Sequence, residues 1–262
     1  MKANSAKKRI LALLTAPSLL LSVPHVGALP RADGAVFDVM HQAEDALPWD
    51  AFLADTFFFG ESTTAHLARN NGVLDTPTLR RHVWKDESGT RMLDGRTSTS
   101  IVNYIDENGA QRPLSFEEAL LCEQPRRLIL SFGLNGILFF QKNTDLFIKD
   151  YERLIRRVKE LSPVTHVLIQ SIYPIRRADA FGCDSETLNR YIGRLNQQLL
   201  DFSKAHEGVT FVDTASVLRD GTGALREEFD AGDGIHLTND AYFYILSFLA
   251  SHENNLPKGA HT

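Results

Sequence analysis

The chain is poor in cysteine: Cys122 and Cys183 are the two thiols among 262 residues. Two thiols make no disulfide framework, and neither a CxxC nor an HExxH pattern is present to hold a metal. An exported location permits a bond between the two without requiring one. A dominant charge is missing as well. Lys and Arg number 28 against 33 Asp and Glu, a net charge of −5, and the pI is near 6.0. The basic pairs Arg126-Arg127, Arg156-Arg157 and Arg176-Arg177 are scattered along the chain. That pattern gives a nucleic acid no basic surface to bind. No G-x-G-x-x-G follows the first strand-like run, so dinucleotide binding has no support. The Gly-x-Ser-x-Gly elbow fails too, because Thr63 and Thr64 follow Ser62. No metal and no organic cofactor is expected.

Long apolar runs are also scarce. The most prominent is Ile10 to Val23, behind a cationic start with Lys2, Lys7, Lys8 and Arg9. It is short for a membrane span. Val26 and Ala28 then occupy the −3 and −1 places of a small-residue cleavage site. Residues 1–28 therefore read as a secretory signal peptide, with an uncleaved anchor as the alternative, and the protein is expected to be secreted or at the cell surface. With 43% hydrophobic and 23% charged residues, the remainder suits one well-packed domain. The boundaries read as a linker or helix over 29–50, a domain over 51–254 and a tail over 255–262.

Within that domain, apolar strand-like runs alternate with helical patterns. The runs are TFFFG (56–60), RHVW (81–84), RRLILSFG (126–133), THVLIQSIYP (165–174) and GVTFVD (208–213). Between them lie SFEEALLCE, DLFIKDYERLIRRVKEL and SETLNRYIGRLNQQLLDFSKAH, and TNDAYFYILSFLASH closes the chain. Five runs flanked by helices predict an α/β fold with a parallel five-stranded sheet buried on both faces. In such a sheet the chemistry gathers beyond the carboxyl ends of the strands.

Those ends carry suggestive residues. The first gives Gly60-Glu61-Ser62, the second leads to Ser88-Gly89, and the third gives Gly133-Leu134-Asn135-Gly136. Beyond the fifth come Asp233 and His236, three residues apart. Taken singly, each has an ordinary explanation: Ser62 as a helix cap, Glu61 as a charge suited to a helix N-terminus, Asn135 as a turn residue. Taken together they are the parts of acyl transfer. A serine nucleophile needs an imidazole base, and the base needs a carboxylate to fix its tautomer. The oxyanion needs preplaced donors, which a backbone N–H and an Asn amide can supply.

These blocks resemble the SGNH hydrolases, also called GDSL-type esterases, over roughly residues 52 to 252. The resemblance implies a three-layer α/β/α, flavodoxin-like fold. It implies that Ser62 is the nucleophile, His236 the base and Asp233 its orienting acid. By the same match, the backbone N–H groups of Ser62 and Gly89 and the Asn135 amide form the oxyanion hole, with Gly95 competing with Gly89. The chain departs from the family pattern twice: Glu61 replaces the usual aspartate of the first block, and Gly136 stands where an aspartate is common in the third. His66, His82 and His166 read as structural or surface residues.

The implied reaction is hydrolysis of a carboxylic ester through an acyl-enzyme. The expected substrate is a small acyl ester or an O-acylated glycan, with acetyl the favoured group by analogy with the family and by location. A catalytically weakened glycan-binding protein and an O-acyltransferase using the same residues are the alternatives. Phe139 and Phe140 either wall the pocket or pack in the core. Tyr173, Arg176 and Arg177 fall near the rim, where the arginines either meet an acidic or sugar-bearing substrate or, as the default, lie in a solvated loop.

Overall fold

Phe57, Phe58 and Phe59 point alternately to opposite sides of one buried strand, and each side meets its own core. The computed structural model describes residues 49–68, 76–85 and 92–252. The expected signal peptide, nearly all of the 29–50 segment, Gly89 and the 255–262 tail lie outside the described residues.

Strand β1 (Thr56–Gly60) sits between β2 (Val83–Lys85) and β5 (Arg127–Ser131), followed by β6 (His166–Gln170) and β7 (Val209–Val212). All four pairings are parallel, in the order β2-β1-β5-β6-β7. The three central strands are buried throughout. Phe57 and Phe59, Leu128 and Leu130, and Val167 and Ile169 face one core; Phe58, Ile129 and Leu168 face the other. That alternation explains why the runs read as continuous hydrophobics: each face of the sheet is covered.

The helices complete three layers. On the first side lie α4 (Phe116–Glu123), α6 (Thr144–Leu161) and α7 (Ser185–Ala205), burying Phe116, Tyr151 and Leu195 among others. On the second lie α1 (Asp50–Ala54), α2 (Ser62–Leu67), α3 (Pro77–His82) and α8 (Asn239–Ser251), burying Phe52, Leu67, Leu79 and Ile245. Short α5 (Ile137–Lys142) follows β5. The helix starts follow their sequences. Ser115 and Glu118 form a reciprocal capping box on α4, and the Thr76 hydroxyl accepts from Leu79 N–H ahead of Pro77 on α3.

Two expectations need correcting. The second strand begins at Val83, because Arg81 and His82 finish α3. Further on, the RTSTS stretch forms a 3-10 turn at Thr97–Thr99, with Thr97 and Ser100 buried. An antiparallel hairpin also goes beyond the five strands expected: β3 (Ile101–Ile105) pairs with β4 (Gln111–Ser115). Cys122 and Cys183 are both free and exposed. His82 and His166 are structural, as read. The His82 Nδ1 donates to the Leu53 carbonyl at 2.8 Å, and His166 Nε2 lies 2.9 Å from the Thr210 hydroxyl. Burial pushes both imidazoles below their ordinary value, His166 to about 4.

The strand order reverses between β1 and β5. A crevice opens at such a point because the chains leaving the two strands diverge to opposite sides of the sheet. Ser62 leaves β1 and Asn135 leaves β5, so the topology alone brings them together.

Candidate active site

Ser62 is the first residue of α2, not its cap; the cap position is Glu61, and its side chain makes no capping bond. The Ser62 hydroxyl is therefore free to face the crevice. It lies 3.3 Å from His236 Nε2 and 3.5 Å from Asn135 Oδ1. His236 Nδ1 lies 2.5 Å from Asp233 Oδ2. A carboxylate can only accept, so Nδ1 carries the ring hydrogen and Nε2 presents its lone pair to the serine. This tautomer is the one a general base needs.

Asp233 is fixed in turn by the loop it sits on. Its Oδ1 accepts the backbone N–H of Ile235 at 2.9 Å and of His236 at 2.8 Å. Burial works to raise its pKa, but the His236 ring and these backbone donors outweigh it and hold the carboxyl at about 2. It is therefore ionised at neutral pH.

The loop carrying Asp233 and His236 is bolted down from both sides. Asp230 accepts the N–H groups of Gly232 and Gly234 at 2.9 and 2.8 Å. The Arg177 guanidinium donates to the Gly232 carbonyl and lies 3.9 Å from the Asp230 carboxylate. Backbone N–H groups of Arg176 and Arg177 reach the Gly234 carbonyl. Gly234 has φ +83°, and a Cβ there would come within 2.6 Å of Arg177 Cβ, so glycine is required on both counts. Arg176 bonds Glu227 at 2.8 Å. The two arginines thus brace the loop that carries Asp233 and His236, and Tyr173 is buried.

On the other wall, Glu61 does what the sequence did not disclose. Its buried carboxylate accepts the N–H groups of Gly133 (3.3 Å), Leu134 (2.7 Å) and Asn135 (3.1 Å). Tyr151 adds a second tie, its hydroxyl accepting from Phe132 N–H and donating to Phe132 C=O, both at 3.0 Å. The turn that presents Asn135 is thereby fixed to the residue preceding Ser62. Burial pushes Glu61 up to about 7, although the three N–H donors pull the other way. The Asn135 side chain itself is exposed to the crevice. A half-turn of its amide exchanges Oδ1 for Nδ2, the donor an oxyanion requires.

The remaining candidates separate. Gly89 lies outside the described residues. Its competitor Gly95 packs against the guanidinium of Arg153 on α6. Phe140 is core while Phe139 is partly exposed. His66 joins the site: its ring lies against His236, with centroids 4.5 Å apart. It stands one helical turn after Ser62, a spacing that puts both on one face of α2 and was the available signal. Among the described residues, no group of three His, Cys, Asp or Glu side chains converges as a metal site would need.

Several solved structures are similar to this chain. A Streptococcus pneumonia protein named for platelet activating factor is 20% identical, covering 83% of this chain and 89% of its own, with a TM-score of 0.50. A GDSL-like lipase from Bacteroides thetaiotaomicron is 17% identical, covering 86% and 98%, with a TM-score of 0.49. A Clostridium thermocellum family 3 carbohydrate esterase is 17% identical, covering 76% and 94%, with a TM-score of 0.43. No curated protein sequence matches the chain. The pattern that defines the GDSL-like Lipase/Acylhydrolase family runs from residue 58 to residue 242, from within β1 into α8. It takes in most of the chain and every residue assembled around the crevice, and the protein belongs to that family.

Proposed function

We propose that the protein is an exported serine esterase that removes small acyl groups, acetyl foremost, from a glycan or a similar carrier. The observation that carries the reading is the His236 imidazole between Asp233 at 2.5 Å and Ser62 at 3.3 Å. Ser62 Oγ attacks the ester carbonyl while His236 Nε2 takes its proton, and Asp233 supports the imidazolium that forms. The tetrahedral oxyanion is met by the Ser62 N–H and the Asn135 amide, and the family resemblance implies Gly89 as a third donor. Collapse expels the alcohol, which takes the proton from His236. Water, deprotonated by the same imidazole, then releases the acid from Ser62.

A small acyl group on a large carrier fits the openness of the site. The Asp233 side chain is 51% exposed and that of His236 is 29% exposed, so a bulky alcohol can approach from solvent. Export rests on residues 1–28, and Ala28 at the cleavage position would leave Leu29 as the mature N-terminus.

The test is an ester series, p-nitrophenyl acetate, butyrate and octanoate, run beside Ser62→Ala with folding checked by circular dichroism. The reading expects acetate to have the highest kcat/KM and the variant to fall to background. Preference for octanoate would contradict the small acyl group, and equal rates in both proteins would contradict the nucleophile.

A further inference from the structure

We infer that His66 is a positioning residue for the catalytic base, fixing the plane of the His236 ring. The inference rests on the esterase reading above. His236 is held through hydrogen bonds at its two nitrogens, Nδ1 to Asp233 and Nε2 to Ser62. The ring turns about its Cβ–Cγ bond, and these two hydrogen bonds alone resist that turn from its edge. Turning carries Nε2 out of line with the Ser62 hydrogen, and hydrogen bonds weaken steeply as they lose alignment.

A flat group against the ring face stops that motion, and His66 is placed to supply it. The two imidazole centroids are 4.5 Å apart with 36° between the planes, within the range of aromatic ring contacts. His66 rises from α2, the helix that Ser62 begins. The same rigid turn therefore holds the nucleophile and the surface against which the base rests. That helix is tied to its neighbour α8 by the Tyr242 hydroxyl, which donates to the Thr63 carbonyl at 2.7 Å. The alignment of Ser62 with His236 therefore has a support on α2 besides the loop that carries Asp233.

What is needed at position 66 is a flat ring, not a titrating one. The experiment compares His66→Ala and His66→Phe in the full chain, with p-nitrophenyl acetate and with Ser62→Ala alongside. His66→Ala is expected to lower kcat by about tenfold while KM stays close to the parent value, since the loss is in alignment at the transition state. His66→Phe restores a flat ring and is expected to recover most of that loss, with the thermal midpoints of all variants close together. If His66→Ala proves unstable, the kcat of His66→Phe decides the matter. An unchanged kcat in His66→Ala would overturn the inference. So would a His66→Phe variant as slow as His66→Ala, which would point to imidazole chemistry at position 66. Residual activity in Ser62→Ala equal to the parent would instead overturn the esterase reading.

Discussion

The Glu61 carboxylate accepts the Leu134 N–H at 2.7 Å, joining the residue before Ser62 to the residue before Asn135. The two halves of the crevice are thereby held in fixed relation by one buried side chain. A glutamate reaches across where the family's usual aspartate would be one methylene shorter. The substitution therefore bears on how the two walls of the crevice are set against each other.

Replacing Glu61 should slow the reaction. In Glu61→Gln one side-chain oxygen becomes an NH2 that faces backbone donors. An N–H left without its acceptor in such a buried place costs about 1–3 kcal/mol, so the turn bearing Asn135 shifts to relieve it. We expect kcat to fall by roughly ten- to a hundredfold with little change in KM. Steady-state kinetics on an acetyl ester checks this, and an unchanged kcat would contradict it.

The same residue predicts a pH dependence of stability. The Glu61 pKa is raised from 4.5 to about 7 in the folded chain. Between those values the folded state holds a proton that the unfolded state has released, so stability falls as pH rises. The contribution is fully present below 4.5 and is lost as pH passes through about 7, amounting to about 3 kcal/mol. Glu61→Gln has no proton to lose there. The urea-unfolding free energy of the parent relative to Glu61→Gln should therefore drop from pH 5 to pH 8. A constant difference across that range would show that Glu61 titrates normally.

Gly136, the second departure from the family pattern, is a matter of space. A Cβ at this position would come within 2.6 Å of both Met92 Sδ and Phe140 Cε2. Phe140 is fully buried and cannot swing away. Gly136→Ala should cost about 1–3 kcal/mol by overpacking, and an aspartate there more. Because Met92 is flexible, Gly136→Ala combined with Met92→Ala should recover part of the thermal midpoint. Strict additivity of the two losses would contradict the contact.

Arg177→Ala should loosen the loop that carries Asp233 and His236. We expect kcat to fall about tenfold with KM nearly unchanged, and Arg177→Lys to recover only part, since one ammonium cannot reproduce the forked donor set. Gly234→Ala should be worse, because it adds a positive-φ strain to the clash with Arg177. Kinetics of the three variants in one ester assay orders them; a wild-type kcat in Arg177→Ala would remove the clamp from the account.

What was legible in the sequence was what local pattern encodes. The runs through Phe57–Phe59, Leu128–Leu130 and Val167–Ile169 are buried on both faces, so hydrophobicity alone marked them as strands of a parallel sheet. Ser62, Asn135, Asp233 and His236 were visible because topology dictates where strand ends meet. The hairpin was not seen, although Asn108-Gly109 beside the alternating Val102 and Tyr104 carried its signal. Pro113 in β4 weakened it, as proline does in any strand. Glu61 was legible as a departure but not as a clamp. Its partners lie more than seventy positions away and are backbone groups, which no residue type announces. Arg177 was hidden for the same reason, and His66 showed only its one-turn spacing from Ser62, since the loop and the ring they meet are brought to them by the fold.

The measurement that tests the central claim most directly is covalent labelling by a serine-directed phosphonate, read by intact mass and peptide mapping. The account predicts a single adduct on Ser62, formed in step with loss of esterase activity and absent from Ser62→Ala. It also predicts that His236→Ala slows labelling by roughly a thousandfold or more, because the hydroxyl then lacks its base. An adduct on another residue, or an active enzyme that stays unlabelled, would contradict the assignment of Ser62 as the nucleophile.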